Sequence, residues 1–382
     1  MRIAILGAGP IGLEAGIASL QNNCEVTIFE RGEIAQHIDL WGHVRMFTPF
    51  GWNHTQAGKE LILRENPKHE FPSDSDYITG QEYRESYLLP LAMLTPLSKH
   101  IQLETEVIHI GKMGIWKSDD HLAEKRKQNP FRLLIRDNKG AEKIVLADLV
   151  LDCSGTYRYH RWCGEGGIPA LNERSAERWI AYGLEDILGK QKNNYANKSV
   201  LVIGDGYSAA TTICSLANLA EDYPATWTIW LSRRSKSTPL PRLSSDPLKE
   251  RDKLAARANH LATRGEGNLE YHGQSIIESI ETAGADKGFS IQVQCAGKPV
   301  HYFVDRLIAN VGYQPNRQLF QELAIDLPDS DLPTLIQKEP NFFVLGAKSG
   351  GRNSRFLLKQ GYDQIREIFN LIQKKKGLYP LR

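Results

Sequence analysis

The sequence predicts an α/β protein with two Rossmann-like, three-layer dinucleotide-binding domains, of which the second is inserted into the first. Two observations support this fold class: an apolar run at residues 3–6 leads into a glycine-rich turn at 7–12, and a similar run at 200–203 leads into one at 204–209. A helical pattern follows each turn. A single glycine pattern recurs by chance, but two in the same strand–turn–helix context indicate two dinucleotide sites.

Each turn needs small residues for a physical reason. The first glycine permits a tight turn after the strand, the second lets the backbone approach a pyrophosphate, and the third small residue lets the helix pack closely on the strand. The free N–H groups and the positive end of the helix dipole then face the phosphates. The residues predicted to hold the first dinucleotide are Gly7, Gly9, Pro10, Ile11 and Gly12, and those for the second are Gly204, Gly206, Tyr207, Ser208 and Ala209.

The strand after each helix distinguishes the two sites. The first such strand ends at Glu30 and Arg31, and a carboxylate there can accept hydrogen bonds from a ribose while it repels a 2′-phosphate. The second ends at Ser232, Arg233 and Arg234, and guanidinium groups bind phosphate through a planar fork. The first site is therefore predicted to take FAD, with NAD as the less favoured option, and the second to prefer NADPH over NADH.

The order of elements predicts a discontinuous first domain, residues 1–165 and 306–382, around a second domain at 166–305. Apolar residues at helical spacing predict helices, and alternating or continuous apolar runs bounded by turn residues predict strands. Helices are predicted over 10–22, 77–98, 208–220, 242–264 and 355–374; strands over 3–6, 26–29, 101–110, 131–136, 143–146, 148–153, 200–203, 226–231, 288–296, 302–304, 306–310 and 341–346; and an exposed loop over 117–129.

Composition is that of an ordinary globular protein. The chain has 382 residues, 41% of them hydrophobic and 24% charged, and a formal net charge of +2. This charge gives no reason to expect a nucleic acid or an anionic membrane as partner. No run approaches the roughly 20 apolar residues that span a bilayer. Because the first predicted strand starts at Arg2, we expect no signal peptide and a cytoplasmic protein.

The cysteines exclude one kind of redox chemistry. Cys24, Cys153, Cys163, Cys214 and Cys295 contain no Cys-x-x-Cys or Cys-x₄-Cys pair, so a dithiol relay beside a flavin is not expected. The eleven histidines are scattered and form no metal-ligand spacing with the cysteines. The sequence therefore predicts no metal.

With these motifs, the chain resembles the two-dinucleotide-binding-domain flavoproteins over nearly its whole length. The turn at 7–12 with Glu30 resembles their FAD fingerprint, and the turn at 204–209 with Arg233 resembles their NADPH fingerprint. The resemblance implies that FAD and NADPH are the cofactors. It also implies further cofactor contacts at Val107, at Ser154 and Gly155 in the segment Asp-Cys-Ser-Gly-Thr, and at Gly312 in the segment Asn-Val-Gly-Tyr-Gln-Pro-Asn.

Two departures from the family pattern stand out. Many relatives carry Gly-Asp at the last glycine turn, but this chain has Gly346-Ala347-Lys348-Ser349, so Gly346 and Lys348 are the candidate contacts there. The helix beginning near Phe356 and Leu357 is expected to point its N-terminus at the flavin pyrimidine edge. The motif Phe-x-Gly-x₃-His of the N- and S-monooxygenases is matched only in position, at residues 182–189.

The segment 37–55 is rich in aromatic residues and follows the first ribose-binding strand. In the family this stretch passes the isoalloxazine ring, so Trp41 is a candidate flavin contact and His43 and Arg45 are candidate catalytic residues. The alternative interpretation is a packed aromatic loop that only covers the cofactor.

The resemblance implies hydride transfer from NADPH to flavin. The leading hypothesis is a single-component monooxygenase: NADP⁺ stays bound, O₂ adds at the flavin C4a to form a (hydro)peroxyflavin, and a small N- or S-containing substrate takes an oxygen. The first alternative is an NADPH-dependent reductase of a low-molecular-weight disulfide or a quinone. The second is a non-catalytic FAD/NADP redox-sensing protein. A homodimer is compatible with the sequence.

Overall fold

The structure is a computed structural model that describes residues 1–119, 122–234, 238–242, 246–284, 287–327, 335–351 and 355–378. The chain forms two compact units: Met1–Tyr159 with Gln314–Arg382, and His160–Tyr313. The strands, in chain order, are Arg2–Leu6 (β1), Glu25–Phe29 (β2), Ile101–Gln102 (β3), Thr105–Lys112 (β4), Phe131–Asp137 (β5), Glu142–Ala147 (β6), Leu149–Asp152 (β7), Ser199–Ile203 (β8), Trp227–Leu231 (β9), Leu269–His272 (β10), Ser275–Thr282 (β11), Phe289–Cys295 (β12), Lys298–Val304 (β13), Arg306–Ala309 (β14) and Phe342–Val344 (β15).

Helices follow both glycine turns. The α-helices, in chain order, are Pro10–Gln21 (α1), Gln36–Leu40 (α2), Gln56–Glu65 (α3), Gly80–Tyr83 (α4), Leu89–Met93 (α5), Ala123–Gln128 (α6), Glu173–Ala176 (α7), Lys192–Tyr195 (α8), Tyr207–Asp222 (α9), Lys249–Arg264 (α10) and Leu358–Leu378 (α11), with a π-helical turn at Arg84–Leu88. The predicted α/β fold class is confirmed.

The first unit has three layers, and the middle layer is a five-stranded parallel sheet of order β15-β7-β1-β2-β3. Alternate residues of β1 face opposite sides, as the pleat requires. Ile3 and Ile5 belong to the core formed with α1 and α11, whereas Ala4 and Leu6 belong to the core formed with β5. The antiparallel sheet β4-β5-β6 forms the layer over the face that carries Ala4 and Leu6. Both faces of β1 are therefore buried, which explains its continuous apolar run.

The second unit repeats this plan with a four-stranded parallel sheet of order β10-β9-β8-β14. Val200 and Val202 pack in the core shared with α9 and α10, and Leu201 and Ile203 pack against the antiparallel sheet β11-β12-β13. The strand β14 pairs in parallel with β8 of this sheet. A domain boundary at 306 would put β14 in the first domain, whereas this hydrogen-bonded pairing assigns β14 to the second unit.

Several predicted elements have different bounds. The predicted loop at 117–129 contains α6, which is anchored because Arg126 is buried and donates to Glu339 at 2.8 Å. The predicted strand 101–110 breaks between β3 and β4, where Glu104 has a φ of 51°. The predicted helix 77–98 begins only at the Thr79 capping box and continues through the π-helical turn. The helix α10 begins at Lys249 rather than 242, and residues 243–245 lie outside the described part.

Candidate functional site

The first glycine turn has the backbone geometry of a phosphate cradle. Gly7 has a φ of +96°, and its N–H donates to Phe29 O at 2.8 Å, which joins the end of β1 to β2. A Cβ at position 12 would lie 1.9 Å from Gly7 O, so the turn and α1 approach too closely for a side chain. At Gly9, by contrast, a Cβ would meet no described atom within 4 Å. The open space lies where the N-terminus of α1 begins, at Pro10, without a side-chain cap.

The Glu30 carboxylate lies against this turn. Its Oε2 accepts a hydrogen bond from Ala8 N at 2.8 Å, and its Oε1 accepts one from Gly32 N at 3.0 Å. Each carboxylate oxygen can accept a second hydrogen bond, so the group retains capacity for the hydroxyls of a ligand. The structure therefore brings Glu30 to the glycine turn, as the ribose prediction requires.

Arg31 and His37 form a second polar group beside Glu30. Burial and the neighbouring Arg158 lower the pKa of Arg31, and Arg31 Nη2 lies 3.3 Å from His37 Nε2. Burial and the nearby arginines also lower the pKa of His37, so its ring is neutral at pH 7. Because arginine only donates, Nε2 must accept, and the ring proton is on Nδ1. That Nδ1 is buried and has no hydrogen-bond partner among the described residues.

Trp41 presents a second buried donor of the same kind. Its indole packs so closely on Gly80 that a Cβ at position 80 would lie 2.6 Å from the ring. Its Nε1 is buried and has no hydrogen-bond partner among the residues with described positions. His37 lies on α2 and Trp41 directly after it, four residues apart, so the two side chains share one side of the helix. His37 was not singled out from sequence, although the i, i+4 spacing of two ring N–H donors was available as a signal.

The candidate catalytic residues His43 and Arg45 are exposed in the first unit. Their segment is fixed by backbone pairing with the start of α4: Met46 N donates to Ile78 O at 2.9 Å, and Gly80 N donates to Val44 O at 3.0 Å. The catalytic roles of both residues stay predictions.

The end of β7 carries the predicted residues Ser154 and Gly155. Asp152, at the last position of the strand, is fully buried, and its Oδ1 accepts hydrogen bonds from Ser154 N at 3.1 Å and Ser154 Oγ at 2.6 Å. Gly155 has a φ of +68° and leaves the strand through a turn. The half-buried Val107 lies at the bulge of β4 and packs against the core beneath that sheet.

The Lys348 side chain is buried and paired within the protein. It is 0% exposed, and its Nζ lies 2.6 Å from Asp152 Oδ2 and 3.0 Å from Ser154 Oγ. A buried charge requires a partner, and the ammonium is used to neutralise Asp152. The buried ion pair also positions Ser154, and the cofactor contact at Lys348 stays a prediction.

The last glycine turn and α11 follow in the same unit. Gly346 has a φ of +70°, and its N–H donates to Gln364 Oε1 at 2.9 Å. Phe356 and Leu357 precede α11, and Leu357 N donates to Gln360 Oε1 at 2.7 Å. This side chain satisfies one of the free N–H groups at the helix start.

The second glycine turn reproduces the first. Gly204 has a φ of +142°, a Cβ there would lie 2.4 Å from Asn310 O, and its own carbonyl accepts from Trp230 Nε1 at 2.7 Å. A Cβ at Gly206 would meet no described atom within 4 Å. The helix α9 begins at Tyr207 and Ser208 without a side-chain cap, and Ala209 is buried against the strand.

The strand end after this turn keeps two of the three predicted groups available. Ser232 is 2% exposed, and its hydroxyl shares a hydrogen bond of 2.7 Å with Tyr271. The Ser232 hydroxyl is thus used within the protein, and its contact with the ligand stays a prediction. The Arg233 and Arg234 side chains are 71% and 43% exposed, and Arg234 Nε lies 2.7 Å from Asp205 Oδ2. Gly312, predicted at the first cofactor, lies in the second unit, where its carbonyl accepts from Arg161 N at 2.9 Å.

Cys153, the cysteine beside the first turn, is not activated as a thiolate. All five cysteines are free. Burial raises the pKa of the Cys153 thiol well above its usual value, and the nearby Asp152 acts in the same direction, so Cys153 is a protonated thiol at pH 7. Among the described residues there is no cluster of His, Cys, Asp or Glu suited to a metal ion. Within the same residues, no helix combines the length and apolarity that crossing a bilayer requires.

Comparison with known proteins points to one broad class. A family model described as pyridine nucleotide-disulphide oxidoreductase matches residues 4–115. Rat flavin-containing monooxygenase 3 is 25% identical over 256 residues, which cover 64% of this chain and 42% of the relative. Human putative dimethylaniline monooxygenase [N-oxide-forming] 6 is 26% identical over 257 residues, with the same coverage. The chain thus spans less than half the length of these relatives.

Solved structures show the same fold. Bacillithiol disulfide reductase from Bacillus cereus has a TM-score of 0.71 at 15% identity and covers 98% of this chain and 100% of its own. Ornithine N-hydroxylase from Kutzneria sp. 744 has a TM-score of 0.66 at 15% identity, with 98% and 99% covered. Together with the sequence relatives, these likenesses support a two-domain flavoprotein oxidoreductase, the group that the motifs predicted.

The open space at Gly9 gives a first testable prediction. Because an added methyl group there would meet no protein atom but would occupy the cradle, Gly9→Ala should lower FAD retention about tenfold or more while leaving the apoprotein stable. FAD content after gel filtration and thermal unfolding of the apoprotein measure the two effects. Gly111→Ala, also in open space but on β4, is the matched control. A Gly9→Ala protein that retains FAD like the wild type would contradict the assignment.

The buried Asp152–Lys348 pair gives a second prediction. Lys348→Met leaves the Asp152 carboxylate buried without its cation, so the free energy of unfolding should fall by about 3–5 kcal/mol. Urea denaturation measures this change, and adding Asp152→Leu should restore much of the loss because no unpaired charge remains. Lys359→Met, on the exposed face of α11, is the control. A single variant as stable as this control would show that the pair is not buried as described.

Proposed function

We propose that this two-domain flavoprotein oxidoreductase binds FAD in the unit formed by Met1–Tyr159 and Gln314–Arg382, binds NADPH in the unit His160–Tyr313, and passes hydride from NADPH to the flavin. The observation that carries this proposal is the duplicated turn. In both units the second glycine, Gly9 or Gly206, leaves open space in front of an uncapped helix N-terminus. A pyrophosphate fits such a position by shape and by charge.

Residues of the first unit fit FAD in particular. In the proposal, Glu30 accepts hydrogen bonds from the adenosine ribose, while the start of α1 binds the pyrophosphate. The buried donors His37 Nδ1 and Trp41 Nε1 lack acceptors among the described residues, and a dinucleotide rich in acceptor atoms would satisfy them. The buried pair of Lys348 and Asp152 holds Ser154 in place. When bound, FAD supplies the hydride-accepting and oxygen-activating chemistry.

Residues of the second unit fit NADPH better than NADH. The strand end carries the buried Ser232 and not a carboxylate that could accept hydrogen bonds from the hydroxyls of an unmodified ribose. Two exposed guanidinium groups, Arg233 and Arg234, follow it instead. A 2′-phosphate is the group that such a pair recognises.

We propose that the reaction is the oxygenation of a small N- or S-containing substrate with O₂. The named sequence relatives are monooxygenases, which supports this choice. The state of the cysteines agrees, since all five are free and Cys153, next to the first turn, is held as a thiol. His43 and Arg45, exposed on the segment after Trp41, are proposed to contact the oxygenation site.

A reductase of a low-molecular-weight disulfide or a quinone is the second candidate. One observation favours it: over 98% of this chain, the bacillithiol disulfide reductase superposes with a TM-score of 0.71, against 0.66 for the ornithine N-hydroxylase. A dithiol relay has no support in this chain, so the substrate would have to react directly at the reduced flavin.

Rapid mixing with NADPH, with and without O₂, separates the two candidates. For a monooxygenase we expect reduction of the flavin absorbance and then, with O₂, a transient spectrum that matches neither oxidised nor reduced flavin. Fast reduction and direct reoxidation without the transient would favour the reductase. Flavin that NADPH does not reduce would contradict both and favour a redox-sensing protein.

The NADPH preference gives a further prediction. Arg234→Gln removes one of the two guanidinium groups proposed to bind the 2′-phosphate. The KM for NADPH in flavin reduction should therefore rise about tenfold, while the KM for NADH changes less than about twofold. Arg264→Gln, at the end of α10, is the control for the loss of one positive charge. Equal effects on NADPH and NADH would place the Arg234 contact elsewhere on the dinucleotide.

A further inference from the structure

The two glycine turns can be aligned residue by residue, because their strands pair in the same register. Leu6 pairs with Phe29 in the first sheet, and Ile203 pairs with Leu231 in the second. In both, the first glycine donates its N–H to the carbonyl of the paired residue, at 2.8 Å in the first unit and 3.0 Å in the second. Ala8 therefore corresponds to Asp205.

The same alignment equates Glu30 with Ser232. It shows that the carboxylate beside the turn lies at different positions in the two units. In the first unit it lies at the strand end, on Glu30, and the turn carries the neutral Ala8. In the second unit the strand end carries the neutral, buried Ser232, and the carboxylate is in the turn, on Asp205. Each site thus has one carboxylate beside the turn, but it is attached to opposite strands of the motif.

Asp205 forms ion pairs with two arginines of the described part of the chain. Its side chain is 18% exposed, and its Oδ2 lies 2.7 Å from Arg234 Nε and 3.9 Å from Arg233 Nε. Within the described residues, Oδ2 is buried and makes no well-aligned hydrogen bond. The contact with Arg234 is therefore an ion pair whose N–H group does not point at the oxygen. The same guanidinium is the one proposed to receive the 2′-phosphate of NADPH.

We infer that Asp205 is a specificity-determining residue that weakens the binding of the 2′-phosphate and so moderates the preference for NADPH over NADH. This inference rests on the proposed NADPH site. The Asp205 carboxylate neutralises part of the charge on Arg234 and repels a second anion brought to the same group. An unmodified ribose carries no such charge, so NADH does not experience this repulsion. The site accordingly keeps NADPH preference through two arginines but at reduced strength.

The test removes the carboxylate and measures binding rather than turnover. Dissociation constants for NADP⁺ and NAD⁺ are measured by calorimetry on the purified flavin-containing protein and on Asp205→Asn and Asp205→Ala. Alanine is what the first turn carries at the equivalent position, so this backbone accommodates it. Asp222→Asn, exposed at the far end of α9, is the control for the same change in net charge.

We expect both Asp205 variants to bind NADP⁺ about threefold to tenfold more tightly, with NAD⁺ changed less than about twofold. The gain should shrink at high salt because charge repulsion near the surface is screened. Weaker NADP⁺ binding would overturn the inference, since it would mean that Asp205 orients Arg234 for the phosphate. Equal tightening of NADP⁺ and NAD⁺ would also overturn it. If the wild-type protein bound no NADP⁺, the proposed function itself would fail, whereas intact binding with unchanged preference refutes only the role of Asp205.

Discussion

The close approach of each glycine turn to the neighbouring strand is the constraint on which both units depend. Gly7 and Gly204 close the turn by donating to the carbonyl at the end of the next strand, and side chains at Gly12 or Gly204 would collide with backbone atoms. Beside Gly9 and Gly206, where α1 and α9 begin, an added Cβ would meet no described atom. In the proposed function, backbone geometry thus sets the position of the pyrophosphate before any side chain contributes.

Side chains then decide what each cradle accepts. In the first unit the Glu30 carboxylate is fixed by Ala8 N and Gly32 N, and we propose that it binds ribose hydroxyls. In the second, two arginines face one carboxylate in the turn, and we propose that this group favours a phosphate. The buried pair of Asp152 and Lys348 serves a different purpose, because both charges are fully buried and hold the backbone at the end of β7.

The features predicted from sequence are the local ones. A glycine pattern, the strand before it and the charge at the end of the next strand all lie within about thirty residues. Backbone sterics allow these residues one strand–turn–helix arrangement. The contacts of Lys348 with Asp152 and of Ser232 with Tyr271 join distant parts of the chain, so the sequence does not predict them. The helix α6 was missed for the same reason, since Glu339 anchors Arg126 from a distant segment. The spacing of His37 and Trp41 was a signal in the sequence, but the missing partner of His37 Nδ1 follows only from the burial of that atom.

The central claim is that one chain holds two different dinucleotides in two separate cradles. Native mass spectrometry of the protein mixed with FAD and NADP⁺ tests it most directly, with Gly9→Ala and Gly206→Ala as the paired variants. The account predicts a wild-type complex carrying one FAD and one NADP⁺, with FAD alone lost in the first variant and NADP⁺ alone lost in the second. A single dinucleotide per chain, or loss of both ligands from either variant with folding intact, would contradict it.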